Sequence, residues 1–182
     1  MKGIVFTEFL EMVEQRDSLA MAQQVIDDAA LPHAGGYTAV GTYPPGEMVR
    51  MVQAYGQHAN QPAAAVLRHF GRHLFTSFER QFPDFIREVT GPLELLESVD
   101  QRIHGEVRKL YPDAELPSFD CHRPDPDVLE MVYRSTRGLA DLAQGLIEAC
   151  LEAWKTPYRL QREDLGDGDG THVRFIVRLG DS

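Results

Sequence analysis

Val128-Leu-Glu-Met-Val-Tyr-Arg-Ser-Thr-Arg137 is rich in β-forming residues and follows the turn-forming run Arg123-Pro-Asp-Pro-Asp127, so it reads as a strand over Val128–Ser135. Everything upstream has a different period. Phe6, Phe9, Leu10 and Val13 recur at helical spacing with Glu8, Glu11 and Glu14 opposite them, an amphipathic helix. A second helix is expected from Ser18 to Ala30. Leu31-Pro-His-Ala-Gly-Gly-Tyr37 and Tyr43-Pro-Pro-Gly46 break the pattern, and Met48, Val49, Met51, Val52 and Tyr55 restart it. A longer helix is expected from Pro62 to Phe82, stopped by Pro83, and another from Gly91-Pro92 to about Leu110, closed by Tyr111-Pro112. Downstream of the strand, Leu139, Leu142, Leu146, Ile147 and Cys150 mark a helix within Gly138–Trp154. Tyr158–Glu163 and His172–Arg178 then read as a hairpin around a Gly/Asp turn. The expected fold class is therefore α+β: N-terminal helices followed by a small antiparallel sheet with an interleaved helix.

The chain has 182 residues, enough for one sizeable core and too few for two full domains, so residues 1–182 are expected to form a single domain. A net charge of −10 with no Lys/Arg run argues against nucleic-acid or anionic-membrane partners. No segment approaches the roughly 20 apolar residues of a membrane span, and Met1-Lys-Gly-Ile-Val-Phe lacks the form of a secretory leader. Cys121 and Cys150 stand far apart, giving no disulfide framework, and a reducing, cytoplasmic location is expected.

Several residues invite chemistry. If the strand extends far enough, Tyr133, Ser135 and Arg137 share one of its faces and offer two hydroxyls and a guanidinium, donors suited to a carboxylate; a solvated strand end is the plainer alternative. His104 lies near an apolar helical stripe of Leu95, Leu96, Val99, Ile103 and Val107. It reads either as a ligand to metal or haem iron or as a hydrogen-bonded core residue. Among His33, His58, His69, His73, His122 and His172, only His69 and His73 stand at i, i+4, and without the adjacent Glu of a zincin helix. Cys121, His122, Cys150 and His172 are irregularly spaced for zinc. Asp164, Asp167 and Asp169 suit a hairpin turn better than a calcium loop, because no Glu stands at the twelfth position.

Taken together, Met1-Lys-Gly-Ile-Val-Phe6, the stretch from His104-Gly-Glu-Val to Leu116-Pro-Ser-Phe119, and Tyr133-Arg-Ser-Thr-Arg137 with a helical histidine about thirty residues upstream resemble the H-NOX family of haem nitric oxide/oxygen-binding domains. The resemblance spans essentially the whole chain and is to the bacterial stand-alone type. It implies heme b (iron protoporphyrin IX) bound between the helical and sheet-bearing parts. His104 corresponds to the proximal iron ligand, and Tyr133, Ser135 and Arg137 to the propionate-binding residues. Pro117 corresponds to a proline that packs on the porphyrin and helps hold it out of plane. Ile4, Val5, Leu74, Leu142 and Leu146 are expected to pack on the macrocycle.

Oxygen-binding members carry a distal tyrosine where this chain has Leu142, and tend to have Trp and Asn where it has Phe9 and Leu74. The resemblance therefore implies a sensor of NO, also binding CO, that signals by proximal histidine release and is not an enzyme. With no kinase, cyclase or receptor segment in the chain, the expected partner is a histidine kinase or diguanylate cyclase acting in trans. Some relatives hold a structural zinc on cysteines; Ala140 and His172 stand at two of those positions, so that zinc is not expected. The competing readings are a haem-free interaction module of the same fold and a metal-dependent enzyme using His69 and His73.

Overall fold

Helix α1 (Gly3–Arg16) buries Phe6, Phe9, Met12 and Val13 on one face, as its apolar spacing requires. The computed structural model describes residues 1–32 and 34–180; His33 lies outside them. Helix α2 (Leu19–Asp28) starts one residue later than expected because the Ser18 hydroxyl accepts the Met21 N–H as its N-cap, and it ends before Ala30, which takes φ 47°. Helices α3 (Pro45–Ala59) and α4 (Ala63–Gln81) follow their prolines, and α5 (Pro83–Arg87) is a single short turn. The expected continuous helix up to Leu110 is divided into α6 (Pro92–Ser98), a π-helical turn (Val99–Ile103) and α7 (His104–Leu110).

Four antiparallel strands, β1 (Ser118–Asp125), β2 (Val128–Arg134), β3 (Tyr158–Asp164) and β4 (His172–Leu179), pair in the order β1-β2-β4-β3, with α8 (Ala140–Ala153) between β2 and β3 in sequence. β1 departs from the sequence reading, which placed a turn at Arg123–Asp127. It lies at an edge and absorbs Pro124 near an irregularity between His122 and Asp125, where no ladder hydrogen bond is needed.

Two apolar cores result. The first joins α1 to α4 around Phe6, Phe9, Met51, Tyr55 and Phe70. The second joins the sheet's inner face to α6 and α8 around Leu129, Tyr133, Ile147, Leu151 and Phe175. α4 and α8 clasp the two parts together at backbone distance: a Cβ on Gly71 would stand 2.2 Å from the Leu142 carbonyl oxygen, and one on Gly145 2.0 Å from that of Arg68. Beside this crossing, the buried Glu148 accepts from Arg68 Nε at 2.8 Å and Arg72 Nη2 at 2.9 Å, and Arg72 reaches on to Glu152. A buried carboxylate so paired fixes the relation of the two helices. No helix of the described residues is long and apolar enough to cross a membrane.

Candidate functional site

His104 opens α7 directly after the π-helical turn, a local widening that re-aims side chains relative to a regular helix. Its side chain is 14% exposed, and Nδ1 lies 3.3 Å from Asp100 Oδ1, a partner one turn earlier that also accepts from Arg108 Nη2 at 3.1 Å. Burial is the largest influence on the ring and holds its pKa below the usual histidine value, while Asp100 and the Pro117 carbonyl act in the opposite direction. The imidazole is thus neutral at pH 7, the form that ligates metals.

Its ring lies 6.0 Å from that of Phe119, which lies 5.5 Å from Tyr133. The structure therefore gathers His104, Pro117 and Tyr133 through the first residues of β1. Asp100 and Phe119 were not singled out in the sequence; the i, i+4 spacing of Asp100 and His104 was the available signal for the first.

The proposed common strand face of Tyr133, Ser135 and Arg137 requires correction: β2 ends at Arg134, and Ser135 and Arg137 lie beyond it. The grouping survives through the turn instead. The Arg137 N–H donates to Ser135 Oγ at 3.2 Å, in the turn that follows the buried Tyr133. Burial pushes the Tyr133 pKa up, so the hydroxyl keeps its proton as a donor. Arg137, 13% exposed in its side chain, donates to the exposed Glu115 at 3.0 Å.

The other predicted residues fall on the helical side. Phe9 and Leu74 are buried in the first core, with Phe9 edge-on to Phe70 and Tyr55, and Val5, Leu142 and Leu146 are half-buried against it. Ile4 is half-buried outside that cluster, its N–H bonded to the Ala39 carbonyl. Sulfur and imidazole groups do not assemble: Cys121 pairs in register with Met131, three ladder positions from the row holding His172, and Cys150 is buried in α8. His73 faces Glu8 across α1 and α4 at 3.4 Å. No group of three or more His, Cys, Asp or Glu among the described residues is gathered as a metal site. Asp164 and Asp169 accept turn N–H groups from Gly166 and Thr171, as the hairpin reading expects.

The donor chemistry suits haem. A neutral imidazole and a phenol flank Phe119, a hydroxyl and a guanidinium follow in the turn after β2, and half-buried aliphatic side chains pack against the helical core.

A family model described as haem-NO-binding matches residues 2–162. The chain belongs to this family of haem-based gas sensors, the H-NOX proteins. It is similar to the Fe(II) unliganded H-NOX protein from K. algicida, at 34% identity and TM-score 0.92 over all of this chain and 98% of that one. It is also similar to the IWP-051-bound H-NOX from Shewanella woodyi in the Fe(II)CO state, at 31% identity and TM-score 0.82 over 98% and 94% of the two chains. The S. oneidensis H-NOX in the Fe(II)NO state shares the fold at 23% identity and TM-score 0.89, with both chains fully covered. No curated protein sequence matches the chain significantly.

Proposed function

We propose that residues 1–182 act as one NO sensor, with ferrous heme b held by His104 and its propionates by Tyr133, Ser135 and Arg137. The observation that carries this reading is the neutral, nearly buried imidazole of His104 with Nδ1 turned to Asp100. With Nδ1 so engaged, iron coordination falls to Nε2, the pattern of a ligating histidine oriented by a carboxylate. Val5, Leu142 and Leu146 exclude water from the ring, joined by Ile4, and Pro117 braces the segment that carries Phe119.

Held by His104, ferrous haem would supply reversible binding of a diatomic gas. Release of His104 would leave its tie to Asp100 intact, and because α7 begins at His104, the helix would move with it. This is a two-state element biased by a ligand. Phe9, Leu74 and Leu142 offer no hydrogen-bond donor, so NO and CO bind while O2 lacks the donor its polarised bound form needs. The output passes to a cytoplasmic partner, a histidine kinase or diguanylate cyclase, and the chain itself catalyses no reaction.

The test is His104→Gly expressed with haem supplied. The wild type should show an intense Soret band, and the variant should take up haem only when imidazole is added. Unchanged haem uptake by the variant without imidazole would overturn the assignment.

A further inference from the structure

The sheet buries one face only. Leu129, Met131, Tyr133, Val173, Phe175 and Val177 belong to the core shared with α6 and α8. Side chains alternate along a strand, and directly opposed residues of antiparallel strands share a face, so the intervening residues project to the other side. Away from the turn after β2, the rows of that outer face divide by charge. The β1–β2 half carries the carboxylates Asp120, Asp125 and Glu130 and no Lys or Arg, whereas the β4–β3 half carries Arg159, Arg174 and Arg178. Its one carboxylate, Glu163, already accepts from Arg174 Nε at 2.9 Å.

Two features of this face run against stability in a lone chain. Arg159 and Arg178 are directly opposed in the β3–β4 ladder, and like charges so placed destabilise a sheet. Both side chains are exposed and make no ion pair or hydrogen bond among the described residues, and the same is true of Asp120 and Glu130. At the boundary between the halves, Val132 of β2 and Ile176 of β4 are half-buried apolar side chains that belong to neither core.

We infer that the outer face of the sheet is a two-fold interface between copies of this chain, the carboxylates of β1 and β2 on one protomer meeting the arginines of β3 and β4 on the other. A partner of uniform charge would satisfy one half and repel the other. The pattern is instead reversed across the line between β2 and β4, the pair at the middle of the sheet. Rotation by 180° about an axis along that line lays β1 over the partner's β3 and β2 over the partner's β4, an isologous contact with aligned sheets. Row for row, Asp125 then faces the partner's Arg159, and Glu130 faces the partner's Ile176, between the partner's Arg174 and the partner's Arg178. Val132 and Ile176 fall nearest the axis, where an interface is driest. With −10 on each chain, unspecific association is opposed, and the local pattern supplies the attraction.

The experiment is sedimentation equilibrium of the protein purified with haem supplied, over a range of concentrations. A monomer–dimer equilibrium is expected for the wild type. Glu130→Arg and Arg178→Glu should each weaken it about tenfold or more, because each alone sets like charges face to face twice in the dimer. An equimolar mixture of the two variants should regain it, since Arg at 130 then meets Glu at 178 and the native pair forms at the other contact; only a two-fold arrangement predicts this rescue. A wild type that stays monomeric at every concentration would overturn the proposal and leave the face to a partner of another sequence. Dimers unaffected by either variant, or a mixture that stays monomeric, would overturn it equally.

Discussion

Replacing Gly71 with alanine measures how closely α4 and α8 must meet. The added Cβ would stand 2.2 Å from the Leu142 carbonyl oxygen and 2.8 Å from the Leu146 amide nitrogen, whereas ordinary contact begins near 3.4 Å. Both obstacles are main chain, so no side-chain rotation relieves the clash, and the helices must part by roughly 1 Å. Overpacking of this kind costs about 1–3 kcal/mol, and for a chain of this size each kcal/mol lowers Tm by about 2–4 °C. A fall of about 2–12 °C is expected in thermal unfolding followed by circular dichroism, with haem content equalised. Gly145→Ala meets the Arg68 carbonyl at 2.0 Å and should fall comparably. Gly46→Ala is the control: it lies in α3 with nothing within 4 Å of the new methyl, and should melt at or above wild type. A Gly71→Ala protein that melts no lower than wild type would refute the close-crossing argument.

Arg137→Ala should weaken haem retention by on the order of 2 kcal/mol, about thirtyfold, and more than Ser135→Ala, because a guanidinium gives charge-assisted bonds; haem transfer to apomyoglobin ranks the variants, and the reverse order would contradict it. The reduced wild type should bind NO and CO yet form no persistent oxy spectrum in air, and Leu142→Tyr is the single change expected to create one; a stable oxy form of the wild type would defeat the apolar-pocket reading. In the haem-free protein, burial holds His69 and His104 below the ordinary value of 6.5. The unfolded chain therefore binds more protons beneath that value, so stability is full above about pH 6.5 and declines as the pH falls through the depressed values. Urea midpoints from pH 7.5 to 5.5 should drop, less steeply in His69→Gln, and a rising midpoint would reverse the sign.

The order of helices, the late sheet and the hairpin could be read from periodicity, since each has an uninterrupted apolar pattern. β1 could not. Its inward side chains are only Phe119 and Cys121, its exposed positions are polar, and Pro124 reads as a breaker unless the strand is known to lie at an edge. The helix through residues 91–110 looked continuous because a π-helical turn preserves helical composition while shifting the side chains by a fraction of a turn. That shift sits immediately before His104, where regular periodicity predicted a place on the stripe and the structure turns the ring toward Asp100, Pro117 and Phe119.

The site itself was legible as a set of residue types, and its polar surroundings were not, because long-range partners leave no trace in local spacing. His73 shows why this matters for ligand choice. It is the histidine next in sequence to Leu74, and a donor there could reach the pocket only by turning inward. In the structure it stands 3.4 Å from Glu8 Oε2, while Gln81 Nε2 donates at 2.8 Å both to Glu8 Oε1 and to Ser77 Oγ. Residues 73, 77 and 81 recur at four-residue steps along α4, one stripe away from Phe70, Leu74 and Phe78. The first stripe meets Glu8 of α1, and the second meets Phe9 and the apolar core. The polar groups are thereby held on the far side of the aliphatic wall. Turning His73 inward would strip the nearly buried Glu8 carboxylate of its polar neighbour at 3.4 Å, which is why an apolar distal pocket is compatible with a histidine so close to it in sequence.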